Sequence, residues 1–174
     1  MNTITRMVKT ALAGSILASI LISELAWTDD TWECFLRSGE FLLSVKQRVK
    51  LCSGARSNAP LRCFARTYPL GMTEDQKITL CQAAPSDAPQ RCFFDSLGHG
   101  MSLDQQIKLC NSTNTTYPIQ CYDNSTQLPI SNDQKVTLCT NATSEEPFSC
   151  FANHITSGLT LDQLVRLCSQ FTPS

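Results

Sequence analysis

Ten cysteines fall on a single 29-residue period, and no other feature restricts the fold of this 174-residue chain as much. One series is Cys34, Cys63, Cys92, Cys121 and Cys150; the other is Cys52, Cys81, Cys110, Cys139 and Cys168. The nine residues ending at each cysteine of the second series also return. Ser44 to Cys52 recurs as Thr73 to Cys81, Ser102 to Cys110, Ser131 to Cys139 and Thr160 to Cys168. A fixed period of this length is the signature of an array in which each unit buries its apolar face against its neighbours. Counted from the first cysteine, the units are 34–62, 63–91, 92–120, 121–149 and a shortened 150–174.

The recurring stretch predicts a helix. Ser or Thr followed three residues later by Gln is a capping box, in which each side chain satisfies a backbone donor of the other residue. The residue before the Gln is Asp75, Asp104, Asp133 or Asp162, favourable beside the positive end of the helix dipole. Lys46 is the exception. Val49 and Cys52 share a face, as do Leu51 and Ala55, and the stripe recurs in later units. Val49 and Leu51 also alternate as in a strand, but the capping box and the segment length decide for a helix.

A second, shorter helix is expected around the first cysteine of each unit. Pro60, Pro89, Pro118 and Pro147 stand three residues before that cysteine, where a missing N–H and fixed φ suit a first turn. Asn58, Asp87 and Thr116 are the candidate N-caps, with Asp29 or Asp30 in that role before Cys34. An aromatic follows the cysteine each time: Phe35, Phe64, Phe93, Tyr122 and Phe151. After it come about seven variable residues with Gly or Pro near their end, which is loop chemistry. The expected fold is all-α: a solenoid-like tandem array of five helical hairpins over residues 27–174, after an N-terminal signal segment at 1–26.

Neighbouring cysteines alternate between spacings of 18 and 11 residues. Pairing across 11 strands Cys34 and Cys168 at opposite ends of the array, and a disulfide needs Cα atoms within about 7 Å. Pairing across 18 leaves none over and predicts Cys34–Cys52, Cys63–Cys81, Cys92–Cys110, Cys121–Cys139 and Cys150–Cys168. Each such loop contributes about 3 kcal/mol in the chain-entropy model. A metal site is the rival use of so many thiols. Structural zinc brings two ligands within a few residues of each other, and the chain has no Cys-x-x-Cys. No metal site and no cofactor are expected.

The N-terminus carries Arg6 and Lys9 and then an apolar run from Thr10 to Ile22, about the length of a secretory h-region and short for a span. Cleavage after Ala26 is expected, although Glu24 sits where a small residue belongs. Retention as a signal anchor is the alternative, and then residues 10–26 are the chain's one membrane contact. Either way the repeats lie outside the cytosol, in the periplasm or outside the cell, where disulfides persist.

Catalytic residues are not evident. No cysteine differs from its repeat counterparts, and His99 and His154 read as loop residues without a partner. Gly-rich phosphate loops, Gly-x-Ser-x-Gly and His-Glu-x-x-His are absent. Net charge is −1, which gives no reason to expect nucleic acid. Charge drifts along the chain: unit one sets Arg37, Lys46, Arg48, Lys50, Arg56 and Arg62 against Glu40 alone, while unit four nets −3. That drift suits either an oriented partner or head-to-tail association, with a solvated face as the bland reading. Asn111, Asn114, Asn124 and Asn141 head Asn-x-Ser/Thr sequons, possible glycan sites in a eukaryotic secretory pathway. The functional expectation is an exported scaffold that binds another macromolecule through its variable residues. An envelope-anchored structural protein and a secreted hydrolase or hydrolase inhibitor are the alternatives.

Overall fold

The computed structural model describes residues 29–68 and 71–170. The signal segment expected at 1–26 lies outside them.

Ten α-helices follow one another without a strand among the described residues. They are α1 (Asp29–Arg37), α2 (Val45–Cys52), α3 (Ala59–Arg66), α4 (Glu74–Cys81), α5 (Ala88–Asp95), α6 (Leu103–Cys110), α7 (Tyr117–Asn124), α8 (Asn132–Cys139), α9 (Glu146–His154) and α10 (Leu161–Cys168). Each odd helix packs on the even helix that follows it, making five hairpins. Odd helices also contact odd, and even contact even, along the chain. The result is a solenoid of two helical layers with one continuous core between them.

All five disulfides join the cysteines 18 residues apart, with Cα atoms 5.5 or 5.6 Å from each other. Each ties the body of an odd helix to the last residue of its even partner. Nine of the ten cysteines are buried, and Cys150 is half-buried against the core. They act as cross-links and as core filling at once.

The even helices start as their sequence predicts. In all five the N-cap side chain accepts from the Gln backbone at 3.3 Å, and the Gln Oε1 accepts the N-cap N–H at 2.8 to 3.0 Å. The apolar residue before the cap goes into the core at Met72 and Ile130. For the odd helices the capping residue differs from expectation. Asn58, Asp87 and Thr116 make no side-chain cap bond. The hydroxyl one position upstream does so: Ser57 Oγ accepts from Ala59 N, Ser86 Oγ from Ala88 N, and Thr115 Oγ1 from Tyr117 N, at 3.1 to 3.3 Å. The reason is backbone geometry, since Asn58, Asp87 and Thr116 have ψ near zero rather than the extended ψ of a capping residue.

Consecutive hairpins are joined by a type II turn. The residue after each even-helix cysteine has φ near −60° and ψ of 119 to 134°, and the next stands in the left-handed region: Gly54, Ala83, Ser112 and Asn141. The turn closes with Ala55 N donating to Cys52 O at 3.0 Å, and again from Ala84, Thr113 and Ala142. Here the chain reverses and enters the next unit.

Candidate functional site

Residues that hold the repeat together are distinguishable from residues left over for anything else. The sequence expectation treated everything between the aromatic and the even-helix cap as variable, and this needs correcting. Ser38, Thr67, Ser96 and Ser125 are fully buried, and each donates its hydroxyl at 2.6 or 2.7 Å to the carbonyl of the unit's aromatic, three residues back. In the fifth unit His154 holds the place, its Nδ1 2.9 Å from Cys150 O. That residue is the last of α9 rather than part of a loop.

The loop is also bound from the even helix. Arg48 lies over the Phe35 ring at 4.2 Å and donates to Phe35 O at 2.6 Å and Ser38 Oγ at 3.1 Å. Its counterpart Gln106 donates to Ser96 O at 3.1 Å. Lys77, also equivalent, is buried with its ammonium 4.3 Å from the Tyr68 ring and 3.2 Å from Glu74. Three different residues thus perform one task by different polar contacts.

Neighbouring units are stitched by the same Gln that caps. With Oε1 committed to its own N-cap, Gln47 donates Nε2 to Asp75 at 3.1 Å; Gln105 reaches Asp133 and Gln134 reaches Asp162, both at 2.6 Å. At three of the four junctions the Asp before the Gln is therefore the acceptor for the unit upstream: Asp75, Asp133 and Asp162. Unit one has no unit upstream, which explains Lys46. Lys50 and Lys108 add parallel bonds to Thr79 and Thr137 at 3.1 and 3.0 Å.

Burial follows the same logic. Ile78, Ile107, Val136 and Val165 are buried, whereas Val49 at the same position is 54% exposed. The shared stripe expected of Val49 is real but uncovered, because covering it takes a preceding hairpin. At the far end Leu167 is 53% exposed where Leu51, Leu80, Leu109 and Leu138 are fully buried. Around Val49, Trp32 is 57% exposed and stacks on Phe35 with ring centroids 5.4 Å apart. A cavity of about 530 Å³ opens on this edge.

The histidine expectation also changes. His99 Nδ1 lies 2.6 Å from Asp123 Oδ1, a pair formed because consecutive hairpins stack, and neither residue recurs at that position. All ten cysteines are oxidised, so no thiol is available for such a pair to activate. Among the described residues no group of three His, Cys, Asp or Glu is placed to hold a metal ion. Burial raises the Tyr122 hydroxyl above its ordinary pKa, with the neighbouring Asp123 adding to the effect.

Of the sequon asparagines, Asn114, Asn124 and Asn141 are exposed and Asn111 is half-buried. Asn111, Asn114 and Asn141 lie in consecutive linkers, which meet where Thr115 Oγ1 donates to Ala142 O at 3.4 Å. Asn124 ends α7, away from them. Thr113, the hydroxyl residue of the first sequon, is buried where other units carry Ala55, Ala84 and Ala142.

One position after the buried hydroxyl, or after His154 in the fifth unit, runs an exposed row: Gly39, Tyr68, Leu97, Thr126 and Ile155. Its members share a backbone place and nothing else. Compared with protein-family models and with curated proteins, the chain matches none.

Proposed function

We propose that this cysteine-rich repeat scaffold is exported and binds another macromolecule, at the cell surface or outside the cell, without catalysing a reaction. The observation that supports the reading is the row Gly39, Tyr68, Leu97, Thr126, Ile155. Four of these residues sit one place beyond a buried hydroxyl that fixes the loop and Ile155 sits one place beyond His154, and none of the five supplies that bond itself. A rigid frame that holds one variable side chain per unit in line is how repeat arrays recognise partners. Three of the five are large and apolar yet exposed, with Tyr68 70% accessible. Export is supported by five disulfides, which persist in an oxidising compartment. No helix among the described residues is long and apolar enough to cross a membrane.

Affinity capture with the oxidised protein, from surface and extracellular fractions of its source, tests the reading. A specific protein or glycan is expected, and Tyr68→Ser with Leu97→Ser and Ile155→Ser should release it. Capture unchanged by the triple variant would sink the row as the binding surface. Turnover in broad hydrolase assays would sink the non-catalytic reading.

A further inference from the structure

The exposed first edge has two parts that meet. The cavity of about 530 Å³ is lined by Trp32, Phe35, Val49, Cys52 and Gly54, nearly all apolar. A groove of about 730 Å³ on the flank of α2 shares Val49 and Ser53 with it and is lined by Lys46, Lys50 and Gln47. Both volumes lie in the range of small-molecule sites. Lys46 and Lys50 are one turn apart and exposed, and α2 contains no acid. The one carboxylate lining the groove, Asp75, already accepts from Gln47.

A second copy of the chain is a poor occupant. Stacked in the array's own register, α10 brings Gln163 to Lys46 and Arg166 to Lys50, setting donor against donor and cation against cation. Three of the four internal junctions instead set Gln or Lys against an oxygen. The edge requires an apolar body joined to an acceptor. We infer that it binds an anionic amphiphile, a free long-chain carboxylate whose chain lies along Trp32, Phe35 and Val49 and whose head sits between Lys46 and Lys50. Trp32 and Phe35 already stack on each other, so the cavity offers a trough beside Val49, Cys52 and Gly54 that suits an unbranched chain better than a ring. The inference is independent of the exposed row, which lies in the loops and not on this edge.

The test is titration of the detergent-free oxidised protein with dodecanoate below its micelle concentration, followed by calorimetry and tryptophan fluorescence. Saturable binding is expected, at least tenfold weaker for dodecanol and for dodecyltrimethylammonium. Lys46→Glu with Lys50→Glu should weaken it tenfold or more and Val49→Asp should abolish it, while Leu167→Asp at the far edge leaves it unchanged. These positions are exposed, so folding is not at stake. Equal affinity across the three head groups, or indifference to the lysine variants, overturns the proposal. So does sedimentation with phosphatidylglycerol vesicles without saturable dodecanoate binding, which assigns the edge to a membrane surface. Concentration-dependent dimerisation abolished by Val49→Asp overturns it in favour of a second copy.

Discussion

A left-handed backbone is easy for glycine and costly for alanine, and the turn between units uses both. Ala83 has φ +53° where Gly54 has +76°. The strain costs about 1–2 kcal/mol for a residue with a Cβ, against about 0.4–1 kcal/mol of unfolded-chain freedom that glycine adds. Ala83→Gly is therefore expected to stabilise the protein by about 0.5–1 kcal/mol, read as a higher denaturant midpoint. Ser96→Ala should lower it by about 1 kcal/mol, because a fully buried hydroxyl loses its bond to Phe93 O. Tyr122 supplies a pH dependence. Its folded-state pKa is raised above the ordinary 10.0, so its contribution is complete below that value and is lost as pH rises past it. Denaturation at pH 9 and at pH 11 should show a smaller alkaline loss in Tyr122→Phe, the residue type that the four other units carry here. At this scale the sequence was readable where side chains bond locally, as Ser44 and Gln47 do. It misled at Asn58, because Ser57 and Asn58 are both good caps and only ψ decides between them. The buried Ser38 series was present on the 29-residue period but hidden among loop residues, where hydroxyls are ordinarily solvated.

At the scale of the element, one glutamine side chain closes its own helix and holds the next. Glutamate also completes a capping box, so Gln105→Glu separates the two tasks. It removes the donor to Asp133 and sets carboxylate beside carboxylate, an expected cost of about 1 kcal/mol that shrinks with added salt. Gln163→Glu, whose side-chain amide donates to no Asp among the described residues, should change stability by less than about 0.5 kcal/mol. Thermal melts of both variants in low and high salt check the pair; equal losses would disprove the stitch. The helices themselves followed from the caps and the apolar stripe. What the stripe does not contain is the neighbour. Val49 and Ile78 read alike, and their burial differs because one hairpin has a hairpin before it. Lys46 looked like an irregularity and is a consequence of position. The approach of His99 to Asp123 was likewise invisible, since 24 residues separate them in the chain.

Across the whole molecule, the main helix–helix contacts among the described residues join helices of one hairpin or of adjacent hairpins, so stability is approximately a sum over units and junctions. Each staple contributes about 3 kcal/mol, as much as a thin two-helix core can be asked to supply. Cys92→Ser with Cys110→Ser should open the middle of the array, stripping amide-exchange protection from α5 and α6 and from the helices on either side. Cys150→Ser with Cys168→Ser should fray only the fifth hairpin. Hydrogen exchange mapped by mass spectrometry distinguishes the two, and identical profiles would contradict the one-dimensional picture. The disulfide pairing was the most legible part of the architecture, because parity left a single scheme without orphans. The uncovered edge beside Trp32 was illegible, since a sequence shows which residues are apolar and not which lack a cover. The donor and acceptor of each junction occupy fixed places in every internal unit, which also bears on how such a chain can grow. A gene segment encoding any of units two to four can be duplicated in tandem, and the new unit arrives with both halves of its coupling. Unit one has Lys46 in place of the acceptor and cannot be inserted internally. The array has a beginning encoded in its residues, while its length is open to inheritance.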